Sequence, residues 1–142
     1  MSGTTVTVNR TLKAPPQRVF DAWTRADSLR EWFFPGAVVG EASCDPVVGG
    51  RYRVVGVLSD GVDEMAGEYL KVEPPHRLVF TFESRHAGET TTLVTVTLKP
   101  GDGDETTDMT IRHERISGER FGLVVPTGWG MVLDQLEDWL AR

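Results

Sequence analysis

The chain has 142 residues, with 15 Lys and Arg against 21 Asp and Glu, a formal net charge of −6, and 39% hydrophobic and 25% charged residues. That length predicts a single domain over 1–142 with one real core, and the composition excludes a disordered or low-complexity chain. The basic residues Arg51, Arg53, Lys71, Arg112, Arg115 and Arg120 are scattered, which argues against nucleic acid and anionic membrane as partners, because both are held by clustered Lys and Arg.

The lone Cys44 has no partner for an internal disulfide, and the opening Met1-Ser2-Gly3-Thr4-Thr5 lacks a charged and then apolar leader, so a cytoplasmic location is expected. No apolar run approaches the roughly 18 residues of a spanning helix, so no membrane insertion is expected.

Val6 to Leu12 alternates polar and β-branched or apolar residues and predicts an opening strand. Arg10 falls on the apolar parity with Val6, Val8 and Leu12, unless a bulge turns it outward. Pro15-Pro16 ends the strand and suits a helix's first turn; Val19, Phe20 and Trp23 then share one face of a helix over 15–24. Asp27 is a candidate N-cap for a second short helix, whose stripe of Leu29, Trp32 and Phe33 stops at Pro35-Gly36.

From Val38 to Glu114 the period becomes two. Turn signals at Pro46 to Gly50, Ser59-Asp60-Gly61, Pro74-Pro75, Ala87-Gly88 and Gly101 to Asp104 divide it into six strands, and turns this short favour an antiparallel meander. Parity puts Tyr52 and Val54, then Leu78, Phe80 and Phe82, then Val94, Val96 and Leu98, then Met109, Ile111 and His113 on one apolar face. The period then returns to helical: Trp129, Val132, Leu133, Leu136 and Leu140 form one stripe with Asp134, Glu137 and Asp138 off it, predicting a long C-terminal helix laid on the sheet. The fold class is α+β.

Tests for chemistry exclude more than they find. His76, His86, His113 and Cys44 show no zinc-ligand spacing, so no metal and no cofactor is expected. Cys44 reads as a small packed strand residue, with no nucleophile elbow in the chain. Gly49-Gly50 is turn chemistry, lacking the Lys and following helix of a phosphate loop. His113, inward near a strand end, is either a satisfied core or rim histidine or a ligand contact. Glu64 is a candidate for the mouth of any pocket. The aromatic set Trp32, Phe33, Phe34, Tyr52, Tyr69, Phe80, Phe82, Phe121 and Trp129 fits a filled core as well as a pocket wall.

The run Asp45 to Arg53 (DPVVGGRYR), Asp60-Gly61, and Gly67 to Thr81 (GEYLKVEPPHRLVFT) resembles the family of homologues of the heat-shock-protein-90 ATPase activator, C-terminal domain, within the SRPBCC/START-like superfamily. Ala14-Pro15-Pro16, Val19-Phe20-Asp21-Ala22-Trp23, Glu31-Trp32-Phe33, Gly128-Trp129 and Leu133-Asp134-Gln135-Leu136 follow in that family's order, so the resemblance spans nearly the whole chain. It implies a helix-grip (START-like) fold: strand, two short helices, a six-stranded meander, and a long helix on a curved sheet with a cavity between. It also implies binding of lipids, aromatic polyketides or other small apolar molecules, with polyketide cyclisation in some members. The namesake activates a chaperone as a two-domain protein, and this chain is expected to have no room for the second domain.

The leading expectation is non-enzymatic binding of a small hydrophobic or aromatic molecule. Its wall would be Trp32, Phe33, Tyr52, Val54, Tyr69, Phe80, Phe82, Met109, Ile111, His113, Trp129 and Leu133. Two alternatives stay open: a cyclase-, aromatase- or hydrolase-like enzyme using His113 as general acid or base, and a chaperone-associated or other protein-interaction module. A homodimer and an unidentified protein partner are also left open.

Overall fold

A computed structural model describes residues 4–34, 38–59, 61–84, 91–103, 105–117 and 119–142, with backbone alone at 38, 39, 58 and 119–123. The Pro35-Gly36 stop, Asp60, the Ala87-Gly88 turn, His86, Asp104 and the Phe121 side chain lie outside the described residues or side chains. The elements are β1 (Thr4–Leu12), α1 (Pro16–Thr24), α2 (Ala26–Trp32), β2 (Val38–Cys44), β3 (Arg51–Leu58), β4 (Gly61–Glu73), β5 (Arg77–Phe82), β6 (Thr92–Pro100), β7 (Thr107–Ile116) and α3 (Glu119–Leu140).

All neighbouring strands are antiparallel, in the order β1-β7-β6-β5-β4-β3-β2, so the six-strand meander is extended by β1 on the β7 edge. The turn from β2 to β3 depends on Gly49 at φ 87°, a left-handed conformation that glycine adopts without a Cβ penalty. Its N–H donates to the Tyr69 carbonyl at 2.9 Å and ties the turn to β4.

The sheet curves within β4. The strand pairs with β3 from Gly61 to Glu68, then with β5 from Tyr69 to Glu73, with a register shift between Tyr69 and Lys71. Gly67 sits at the bend, where a Cβ would fall on the Thr81 carbonyl oxygen. Only glycine permits that approach of two backbones.

Inward residues of this curved face pack against α3, whose Trp129, Val132, Leu133, Leu136 and Leu140 are buried as their spacing predicts. Full burial of a residue such as Leu133 or Leu136 contributes about 1.5–3 kcal/mol. The helix is longer than its stripe suggests, running through Gly122, Pro126, Gly128 and Gly130. Those residues have poor helix propensity, so the first half of α3 depends on tertiary packing.

Two local expectations are corrected. Asp27 does not cap α2: α1 ends at Thr24 and α2 begins at Ala26, so Arg25 is both C-cap and N-cap, and Asp27 lies in the first turn. Arg10 needs no bulge, since the only register shift of β1 lies between Thr4 and Val6. It keeps its inward parity at the sheet edge, where its Nη1 meets Asp134 at 2.7 Å and Glu137 at 3.2 Å on α3. The Asp134 hydrogen bond leads the causes that raise the Arg10 pKa. A curved antiparallel sheet gripping one long helix is the helix-grip form of an α+β fold.

Candidate functional site

Under the first half of α3 lies a cavity of about 330 Å³. The helix contributes Val124, Val125, Thr127, Gly128, Trp129, Met131 and Val132. Phe33 and Phe34 close it from the end of α2, Asp63 and Met65 from β4, Phe82 and Ser84 from the end of β5, and His113 from β7. Val124 and Met131 are 46% and 47% exposed, so the cavity reaches solvent along α3.

His113 is the wall's central polar side chain, and it is 1% exposed. Trp129 Nε1–H donates to His113 Nδ1 at 3.0 Å. Indole nitrogen has no acceptor capacity, so Nδ1 is bare and the neutral ring carries its proton on Nε2. That proton faces Thr92 Oγ1 at 2.7 Å, and the Thr92 hydroxyl in turn donates to the Phe82 carbonyl at 2.7 Å. One hydrogen-bond assignment therefore satisfies the whole chain of groups from α3 through β7 and β6 to β5. Burial pushes the His113 pKa down to about 4, so the ring is neutral at physiological pH.

The rings around His113 meet edge to face: its centroid lies 5.2 Å from that of Phe82 at 87°, and 6.0 Å from that of Trp129 at 74°. Phe33 and Phe82 lie 6.3 Å and 5.9 Å from Trp129. Offset aromatic pairs of this kind each add about 0.5–1.5 kcal/mol beyond area burial.

Of the side chains expected on a pocket wall, Phe33, Phe82, His113 and Trp129 border this cavity. Tyr52, Tyr69 and Phe80 pack elsewhere, with Trp23 and Leu29, around a void of about 10 Å³. Burial and the Tyr52 hydroxyl's bond to the Thr81 carbonyl, at 2.8 Å, commit that phenol to the fold, and burial pushes its pKa well up. Trp32 donates from Nε1 to the Ala22 carbonyl at 3.0 Å. Val54, Met109, Ile111 and Leu133 are buried core residues away from the cavity lining. Cys44 is half-buried, its Sγ 3.3 Å from the Thr24 carbonyl, and burial raises its pKa.

Glu64 is not at the mouth. It points to the outer face of β4, where Arg53 Nε donates to it at 2.6 Å; its neighbour Asp63 has the inward parity. Asp63 and Met65 were legible from that parity, alternating toward the inward Tyr69. Val125 was legible by extending the Trp129 and Val132 stripe one turn upstream. Gly128 carries no signal beyond its missing side chain. Among the described residues no group of three or more His, Cys, Asp or Glu side chains is arranged to hold a metal ion. No helix there is long and apolar enough to cross a membrane.

The fold and cavity define a domain of the helix-grip class, an architecture of ligand-binding domains in general. Residues 13–141 match the family described as "Activator of Hsp90 ATPase homolog 1-like protein", and the chain belongs to that family. Solved structures agree. A protein from Rhodobacter sphaeroides has a TM-score of 0.84 at 26% identity, covering 99% of this chain and 97% of its own. One from Chromobacterium violaceum gives 0.80 at 26% identity, covering 96% of each chain. The AHSA1 protein from Silicibacter pomeroyi, at 20% identity, has a TM-score of 0.82 over 97% of this chain and 98% of its own, and shows the shared fold. No curated protein matches the chain.

Proposed function

We propose that this protein is a non-enzymatic binder of a small hydrophobic or aromatic molecule, held in the cavity between the sheet and the first half of α3. The observation that carries the reading is a cavity of about 330 Å³ walled by Phe33, Phe34, Met65, Phe82, Val125, Trp129 and Val132. Ligand cavities fall in the range of roughly 300–1,000 Å³ with mostly apolar walls. An engineered cavity of about 150 Å³ takes benzene, so the volume here suits a molecule of about two rings.

The state of His113 favours binding over catalysis. A general base needs a free lone pair at working pH, and Nδ1 spends its own on Trp129. A general acid needs a transferable proton, and Nε2–H is directed at Thr92 inside the sheet. Membership of the family, over 13–141, supports reading the matched residues as one ligand-binding domain.

Native mass spectrometry of the full chain, paired with displacement of a neutral fluorescent dye, tests the proposal. A co-purifying small molecule, or stoichiometric displacement by two-ring aromatics, is the expected result. A chain that stays ligand-free and takes up no apolar dye under any condition contradicts it.

A further inference from the structure

The buried tryptophans differ in what their indole N–H groups meet. Trp32 Nε1–H donates to the Ala22 carbonyl and Trp129 Nε1–H to His113 Nδ1, both at 3.0 Å. Trp23, 2% exposed, is the exception. Its Nε1 is the one buried side-chain nitrogen or oxygen among the described residues without a hydrogen-bond partner. A donor taken out of water unpaired has a desolvation cost, and buried polar groups in folded proteins are nearly all paired. The ring faces around it, the nearest that of Trp32 with centroids 4.8 Å apart, are second-order acceptors.

Trp23 lines the void of about 10 Å³ together with Leu29, Phe33, Tyr52, Tyr69 and Phe80. That space is close to the least a water occupies, and a water also needs two to four polar partners. The other polar side chains there are committed: the Tyr52 hydroxyl donates to the Thr81 carbonyl, and the Tyr69 phenol bonds Cys44. The void suits a single oxygen atom that asks for one donor, and it is far too small for a ring.

Phe33 is the side chain common to this void and the cavity of about 330 Å³. Its centroid lies 5.9 Å from that of Trp23 and 6.3 Å from that of Trp129, so the depth of one ring separates Trp23 from the cavity. Phe33 occupies the C-cap of α2, where the helix ends. Turning that ring aside joins the two spaces. Resting on the reading of the larger cavity as a ligand site, we infer that its ligand is an apolar ring system bearing a carbonyl-type acceptor, whose oxygen passes Phe33 and takes the Trp23 Nε1–H while the rings stay beside Phe82 and Trp129.

The test uses the full chain at neutral pH and two molecules of matched shape, 2-acetonaphthone, which carries a carbonyl acceptor, and 2-isopropenylnaphthalene, which has none. In isothermal calorimetry the ketone should bind about tenfold more tightly, as pairing one buried orphan donor provides. In ¹⁵N-labelled protein, with the Trp23 indole resonance assigned from its loss in Trp23→Phe, the ketone should move that N–H proton downfield and the hydrocarbon should not. Trp23→Phe should erase the preference while both molecules still bind, and Trp139→Phe, outside both linings, should leave it unchanged. The comparison on the unaltered chain stands even if Trp23→Phe fails to fold. Equal binding of the two, or a ketone that binds without moving the Trp23 proton downfield, overturns the acceptor assignment and leaves the cavity reading intact. Binding of neither overturns both.

Discussion

Trp129 Nε1–H donates to His113 Nδ1 at 3.0 Å, and through that bond the first half of α3 is fastened to β7. The bond requires a neutral imidazole. Protonation at Nδ1 would set two donors against each other inside the wall.

Stability should therefore fall with acid in a defined window. The folded pKa of His113, about 4, lies below the ordinary 6.5, so the unfolded chain binds more protons between those values. The contribution is complete above pH 6.5 and is lost as pH falls toward 4, about 3 kcal/mol in all. Urea denaturation across that range measures it. His113→Leu should lose about 1–3 kcal/mol at neutral pH by leaving the Trp129 N–H unpaired, and should flatten the His113 part of the slope. An unchanged slope in the variant would remove His113 as its source.

The two inner glycines should respond differently to a methyl group. In Gly67→Ala the new Cβ meets the Thr81 backbone carbonyl, which cannot move without breaking the bend of β4. In Gly56→Ala it meets the Phe34 ring at 2.6 Å, the far end of a side chain that can swing away. Overpacking typically costs about 1–3 kcal/mol, and thermal melts should place Gly67→Ala at the severe end and Gly56→Ala at the mild end. Gly56→Ala should also weaken dye binding, because Phe34 lines the cavity.

Gly130→Ala should stabilise. A Cβ there meets nothing within 4 Å, and alanine in a helix interior gains about 0.5–1 kcal/mol over glycine. The gain should appear in the melting temperature with dye affinity unchanged, since Gly130 is not among the lining residues.

The Arg10 pairs with Asp134 and Glu137 should matter little. Asp134 is 74% and Glu137 45% exposed, and exposed pairs are worth under about 1 kcal/mol and weaken with salt. Arg10→Gln, compared in low and high salt, should show a small loss that salt erases.

Strand parity carried most of this fold. Leu78, Phe80 and Phe82, Val94, Val96 and Leu98, and Met109, Ile111 and His113 are all buried on one face, as alternation alone requires. Parity says which face a residue takes and nothing about what fills the space above it. Tyr52, Tyr69 and Phe80 share the inward face with Phe82, yet α1 and α2 bring Trp23, Leu29 and Phe33 onto them and leave only about 10 Å³. Phe82 and His113 lie under α3 where Gly128 offers no side chain, and there the gap is about 330 Å³. That difference arises from how helices dock, which no strand period encodes. The carboxyl side chain on the wall was missed for a simpler reason: Asp63 and Glu64 are adjacent in sequence, and one residue of parity separates the cavity from the outer surface.

The central claim is that an apolar molecule occupies the space beside Trp129. The chain has four tryptophans, Trp23, Trp32, Trp129 and Trp139, so ¹⁵N-labelled protein offers an indole N–H resonance for each. In a titration with 2-naphthalenemethanol, a neutral ring system of fitting size, the account predicts a saturable shift of the Trp129 indole resonance while that of Trp139, outside the cavity lining, stays in place. A Trp129 resonance unmoved at saturating ligand, or one that moves no more than Trp139, contradicts it.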